Sequence, residues 1–276
     1  MANAWSNWSG FVTASPKSIP TPADVGELAE LVRSAPGPLR VVGAGHSFTP
    51  LVQSDGTIVS LEKIEGLISH DAVNNRARVR AGTRLGALMH ILQDIGQGLP
   101  NMGDIDKQAI GGSLGTATHG SGPTLGAYHT QLEAVQLVDG QGKLREYSRA
   151  SDQNMIHATG VALGSFGVLT EVTMNNMPTY RLRRRKWVLP IGDMLKNFET
   201  MMGAHRSAEF YYIPFSGYAQ FIASDLSDAA PTPRPTENDE EGLATLRKLR
   251  TVLRWLPSLR RALIKGAVKK VPSEDY

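Results

Sequence analysis

The sequence predicts an α+β fold in two parts, and three observations predict it. Short β-branched runs alternate irregularly with helical periodicities and do not repeat as strand–helix–strand units. Glycine is crowded toward one end: 23 of the 28 precede residue 177, and nine fall between Gly96 and Gly126. Charge also changes sign along the chain. Residues 1–176 hold 12 Lys+Arg and 15 Asp+Glu, a net of −3, whereas residues 177–276 hold 17 and 11, a net of +6. A domain of residues 1–176 followed by a second of residues 177–276 is therefore expected.

Thr21-Pro22-Ala23-Asp24 reads as a helix start, with Thr21 as N-cap and Pro22 in the first turn. Leu28, Leu31 and Val32 give that helix its apolar face, and Pro36-Gly37-Pro38 ends it. Leu39–Val42 and Thr57–Leu61 are strand candidates, and Arg76–Ala81 alternates like another. Thr83–Ile95 carries apolar residues at 85, 88, 89 and 92, which is helical spacing. Gly96–Gly126 reads mostly as loop. Leu132–Val138 and Lys143–Tyr147 flank Asp139-Gly140-Gln141-Gly142, a hairpin signal, and Val168–Met174 is a further strand. After 177 the pattern weakens. Prolines 231, 233 and 235 and the acids that follow predict a mobile loop over 226–242. Helical periodicity then runs over 243–268, interrupted by Pro257.

Composition excludes several chemistries. The 276 residues include no cysteine, so disulfides, thiolate metal sites and cysteine nucleophiles are out. No run of about 18 apolar residues exists, so no membrane-spanning helix is expected. Met1–Gly10 has no basic segment ahead of an apolar one, so a secretory signal is not expected. These features fit a cytoplasmic protein. His70, His90, His129, His157 and His205 show no metal-ligand spacing, and no metal site is expected.

Two segments can carry chemistry. In Val41-Val42-Gly43-Ala44-Gly45-His46-Ser47-Phe48 a strand runs into a glycine turn, which can aim several backbone N–H groups at one anion such as a pyrophosphate. Phe48 stands where a Rossmann fingerprint has its third glycine, and no Lys-Ser/Thr follows, so neither that motif nor a P-loop is present. An ordinary tight turn is the alternative. The second segment, Gly111–Gly122, is small and rich in hydroxyls that can hydrogen-bond a closely wrapped ligand. The alternative is a flexible linker, but Ile110, Leu114 and Ala117 need a place to be buried. The two segments can close on one dinucleotide.

A set of motifs in order resembles the FAD-dependent oxidoreductases of the vanillyl-alcohol oxidase and p-cresol methylhydroxylase type, and within them the sugar-1,4-lactone oxidases (D-arabinono- and L-gulono-1,4-lactone oxidase) and alditol oxidases. The carrying residues are Trp5–Gly10, Gly43–Phe48, Asn101–Ile105, Gln108–Gly112, Thr118–Gly122 and Gly164–Val172. The resemblance is strong over 5–176 and weak beyond. It implies a two-subdomain FAD-binding domain of the p-cresol methylhydroxylase type followed by an incomplete α+β substrate domain.

Residue by residue, the resemblance implies that Val42, Gly43, Ala44, Gly45 and Ser47 hold the FAD pyrophosphate. It implies that His46 is bonded to the flavin 8α-methyl group, the alternative being a hydrogen bond only. Gly111, Gly112, Ser113, Gly115, Thr116, Thr118, His119, Gly120 and Val168 are carried over as cofactor-binding. Gly103 and Asp104 would face the reactive edge of the flavin, Gly103 leaving room for oxygen. Asp104 departs from the serine of related members, and substrate or proton handling stands beside a structural role for it.

The implied reaction is oxidation of a sugar lactone by hydride transfer to flavin N5, with O2 as acceptor giving H2O2; a polyol is the alternative substrate. A non-catalytic FAD-binding fragment is the alternative of another class. Related members continue past the point where this sequence stops, and their substrate-side segments are absent here. A second chain or a missing C-terminal segment is therefore expected to complete the site. Residues 247–270 hold nine Lys/Arg and no acid, so a basic helix can lie peripherally on an anionic membrane or form a solvated face. Only Trp255 is aromatic there, and nucleic acid is not an expected partner.

Overall fold

The structure, a computed structural model, describes residues 3–212, 214–233, 244, 247–248 and 250–276. It divides into two compact units, residues 1–120 with 125–179, and residues 121–124 with 180–276.

The first unit begins with β1 (Trp5–Ser6) and β2 (Thr13–Ala14), an antiparallel pair. Helix α1 (Val25–Ser34) starts later than the sequence suggests. Asp24, not Thr21, caps it: Glu27 N donates to Asp24 Oδ1 (2.9 Å), and Glu27 Oε2 accepts from Ala23 N (2.8 Å). That reciprocal arrangement satisfies two donors, which outweighs the proline signal at 22. Strands β3 (Leu39–Val42) and β4 (Thr57–Ser60) pair in parallel.

The main sheet is antiparallel, in the order β5 (Leu67–Asp71), β6 (Arg76–Arg80), β10 (Val168–Asn175), β8 (Leu132–Val138), β9 (Leu144–Ser148). In β6, Ala77 and Val79 turn inward, while Arg78 turns outward to Glu171 (2.6 Å) and Glu146 (2.9 Å). Helix α2 (Leu85–Asp94) buries Leu85, Leu88 and Leu92. Gly96–Gly126 is less irregular than its glycines suggest. It contains β7 (Gln97–Gly98), paired with β11 (Met177–Pro178), and the short helix α3 (Ile110–Gly115). Ile110 and Leu114 lie four apart and are fully buried together, and that burial decides the local structure. A 3₁₀ turn over Tyr128–Gln131 and helix α4 (Gln153–Gly160), capped by Asp152, complete the unit.

Two apolar clusters form its core. One gathers α2, α3, Tyr128 and strands β6, β8 and β10. The other gathers Leu28, Val59, Leu61, Ile64, Ala81, Val138 and Val168. Strand β10 serves both, burying Val168 in the second cluster and Val172 and Met174 in the first.

The second unit is a four-stranded sheet in the order β13 (Ser207–Tyr212), β14 (Tyr218–Leu226), β12 (Leu182–Pro190), β15 (Glu274–Asp275). Helices α5 (Ile191–Lys196) and α6 (Phe198–Gly203) follow β12, and Trp187, Met194 and Phe221 lie in its apolar cluster. The basic run 181–186 is largely answered within the sheet: Arg183 pairs with Asp275, Arg185 with Asp225 (3.0 Å) and Lys186 with Glu274 (3.3 Å). Helix α7 (Pro257–Val268) carries Pro257 in its first turn. Three cations of the basic segment rest on rings of this unit: Arg254 lies 4.9 Å from the Trp255 centroid, Arg261 4.6 Å from that of Phe215 and Lys269 5.7 Å from that of Tyr218. The loop expected over 226–242 lies from residue 234 onward outside the described residues. Among the described residues no helix is long and apolar enough to cross a membrane.

Candidate functional site

Strand β3 delivers the chain into Gly43–Ser47, and its exit is fixed by packing of Leu39 and Val41 in the cluster of Leu28 and Val59. Gly45 has φ +67°, a left-handed conformation that costs any side-chain-bearing residue about 1–2 kcal/mol. The segment after β1 grips this turn from outside the strand pair. Trp8 N donates to Gly45 O (2.9 Å), and Asn7 Nδ2 donates to Ser47 O (2.9 Å). Buried Asn7 also accepts from Val12 N through Oδ1 (3.1 Å), so one side chain ties the N-terminal turn to the glycine turn. Sequence reasoning gave Asn7 no role; an asparagine between two tryptophans was its only signal.

Facing the turn is α3. Ile110 N donates to Thr83 O and Gly111 N to Ala81 O (2.9 Å each), docking the helix against the end of β6. A Cβ on Gly111 would stand 3.1 Å from both Ala81 O and Ala81 Cβ, so close packing explains that glycine. Nothing in the protein explains the next one. Apart from its chain neighbours and the backbone of its own helix, no atom lies within 4 Å of where a Cβ on Gly112 would stand. A glycine inside a helix costs roughly 1 kcal/mol relative to alanine, and here the space left open belongs to a cleft.

That cleft encloses about 460 Å³, within the ~300–1,000 Å³ usual for small-molecule sites. Its walls bring together Val42, Gly43, Ala44, Gly45, His46 and Ser47 with Gly111, Gly112, Ser113, Gly115 and Thr116, and with Val168. Leu163, Ser165 and Phe166 add a rim; Leu163 holds φ +51°, a strained conformation for a bulky residue. Ser113 Oγ donates to Ala109 O (3.0 Å) and Thr116 Oγ1 to Gly112 O (2.9 Å), so toward a ligand these hydroxyls offer their lone pairs as acceptors. The same wall offers absence of bulk.

Gly103, Asp104, Thr118, His119 and Gly120 do not line the cleft. They build a neighbouring brace. Gly103 N donates to Tyr128 Oη (3.2 Å), and His119 Nδ1 lies 2.9 Å from Gly120 O. A Cβ on Gly120 would collide with Asn101 Oδ1 and the Met102 carbonyl oxygen. Gly120→Ala is expected to lower stability by about 1–3 kcal/mol, read as a fall in the thermal midpoint. Asp104 is exposed.

The charged and titratable groups in the cleft wall are Arg40, His46, Glu62, Arg84 and Asp139. His46 is half-buried and stacked on Trp8, with ring centroids 5.1 Å apart and planes at 22°. Burial, and then the Arg84 guanidinium, hold its pKa below the ordinary histidine value. Arg84 lines the cleft and donates from Nη1 to Lys107 O (3.1 Å). A neutral imidazole and a fixed cation therefore share one cavity with a glycine turn.

Residues 16–148 match the sequence family described as FAD binding domain. The geometry of the cleft suits a large flat ligand: it has the volume, and Gly112, where an added Cβ would meet open space, lines it. The chain is 30% identical over 238 residues to an L-gulono-1,4-lactone dehydrogenase of Mycobacterium tuberculosis, covering 85% of this chain and 55% of that protein. It is 28% identical to the L-gulonolactone oxidase of Mus musculus, covering 82% and 52%. The chain thus spans about half the length of the curated relatives it matches. Among solved structures it is similar to a cholesterol oxidase from B. sterolicum, with a TM-score of 0.78 at 18% identity over 99% of this chain and 60% of that one. The fold is the mixed α+β arrangement of that solved structure.

Proposed function

We propose that the cleft between the glycine turn and α3 holds FAD for oxidation of a CH–OH group of a sugar-1,4-lactone, with His46 as a covalent tether. The observation that carries this is the unfilled space at Gly112 opposite a neutral imidazole, in one cavity. The names of the lactone dehydrogenase and oxidase relatives supply the substrate class. When bound, FAD supplies a two-electron acceptor at its N5.

The residues of this chain do the rest. Backbone N–H groups of Gly43–Ser47 bind the pyrophosphate, and the Arg84 guanidinium adds positive charge beside them. His46 would hold the flavin through a C–N bond to its 8α carbon, with one methyl C–H and one imidazole N–H given up and O2 taking the two electrons and two protons as H2O2. A Cβ on Gly103 would stand 3.1 Å from His119 O, so that glycine serves the packing of the brace, and Asp104 stands as a candidate for handling the substrate or its proton. The same two-electron acceptance by O2 closes each turnover. The substrate side is completed by polypeptide corresponding to the remainder of the relatives' length.

The test is to titrate the apoprotein with FAD and then, with the completing polypeptide supplied, add lactone without air. Quenching of flavin fluorescence on binding, then bleaching by an aldonolactone and not by xylitol, is the expected result. No FAD binding would sink the reading, and bleaching by xylitol alone would replace the lactone with an alditol. The imidazole must be neutral to form the bond. With its pKa below the ordinary histidine value, attachment is expected to be level through neutral pH and to fall only as pH drops through that lowered pKa. Arg84→Gln removes a cation that lowers it, so the fall moves to higher pH. Acid-stable flavin formed per unit time, measured across pH, checks both statements.

A further inference from the structure

The imidazole of His46 does not stand alone. The Trp8 indole lies over it, with centroids 5.1 Å apart and planes at 22°, an offset stack. Trp8 is itself fixed: its backbone N donates to Gly45 O, one residue before His46, and its ring meets Phe48 edge-on at 5.8 Å and 88°. Asn7, its neighbour, holds Ser47 O, one residue after His46. The N-terminal turn thus grips the backbone on both sides of the histidine and lays an aromatic plane on the ring between them. Yet Trp8 keeps 63% of its surface exposed and Phe48 67%. Residues placed only to fill a core are not left so open. Trp8 does not line the cleft, whereas His46 does. The indole therefore acts on the imidazole from outside the cavity.

We propose that Trp8 is a positioning residue for His46, its stacked indole holding the imidazole plane in the orientation from which a ring nitrogen reaches the flavin 8α carbon. This rests on the covalent reading of His46 given above. Stacking confines rotation about the imidazole side-chain bonds and shields one face of the ring from water. The shielding agrees with burial as the leading cause of the lowered His46 pKa.

The experiment uses the full chain as wild type, Trp8→Phe and Trp8→Ala. Apoprotein is mixed with FAD in air and acid-precipitable flavin is followed in time, with noncovalent affinity measured at early times. Trp8→Ala is expected to slow attachment by about tenfold or more, with FAD affinity changed less than about threefold. Trp8→Phe, which keeps an aromatic face, is expected to restore most of the rate. Attachment at the wild-type rate in Trp8→Ala, or a Trp8→Phe as slow as Trp8→Ala, overturns the proposal. A second readout needs no flavin. In the apoprotein the His46 ring protons should carry an upfield ring-current shift that disappears in Trp8→Ala, and a shift unchanged by that substitution also overturns it. If wild type attaches no flavin, the tether reading fails; the ring-current measurement then still decides whether Trp8 orients His46.

Discussion

His46→Ala is expected to turn an acid-stable flavin into one that leaves with the supernatant. In wild type, acid precipitation should carry essentially all bound flavin into the pellet, because unfolding breaks every noncovalent contact but no C–N bond. The substitution removes the only imidazole in the wall of the cleft, so all flavin should be released. The effect is nearly all or none, because covalency is lost and not merely weakened. Folding should survive, since His46 is only half-buried and the turn is held by backbone and Asn7 contacts that an alanine leaves intact. Wild-type flavin that washes out in acid would end the tether assignment, while leaving noncovalent FAD binding open to the fluorescence titration.

The second large effect separates two neighbouring glycines. Gly112→Ala adds a methyl group where, apart from its chain neighbours and its own helix backbone, no protein atom lies within 4 Å, at a helical position where alanine is preferred. Stability should therefore rise by about 0.5–1 kcal/mol. FAD affinity should fall in the same variant, and Gly112→Leu should reduce it by about a hundredfold or more by filling the cleft. Gly111→Ala behaves oppositely in stability, because its Cβ would press on Ala81 at 3.1 Å. Thermal midpoints and FAD titrations on the three variants make the comparison. A Gly112→Leu protein that binds FAD like wild type would remove this cleft from consideration. Increased stability with decreased binding is the signature of a position kept open for a ligand.

Much of this was legible in the sequence because it is local. The strand into Gly43–Ser47, the hairpin at Asp139–Gly142 and the β-branched strand Val168–Met174 are each written within a few residues, and each stands in the structure. Helix α3 was not legible. Gly111 and Gly112 read as loop, and only burial of Ile110 and Leu114 beneath a distant sheet makes the segment helical. The first helix was placed too early because Thr21-Pro22 and Asp24 offer competing starts, and only Glu27 reaching back decides between them. In the site, spacing brought the turn and the 111–116 segment together correctly. It could not show that the Ser113 and Thr116 hydroxyls donate to helix carbonyls, or that 118–120 packs on Asn101 and Met102 beside the cleft. Asn7, Trp8 and Arg84 act across the fold from His46, and their parts depend on distances a linear sequence does not carry.

Strand β10 has a consequence for how the first unit comes apart. Because its inward residues are divided between the two apolar clusters, neither cluster can melt while the other keeps its strand. The amides of β10, central in the sheet, should be among the slowest in the unit to exchange with deuterium, at the free energy of global opening. The two sides of the cavity would then open as one cooperative event, and ligand retention would be limited by that event and not by partial loosening of either wall.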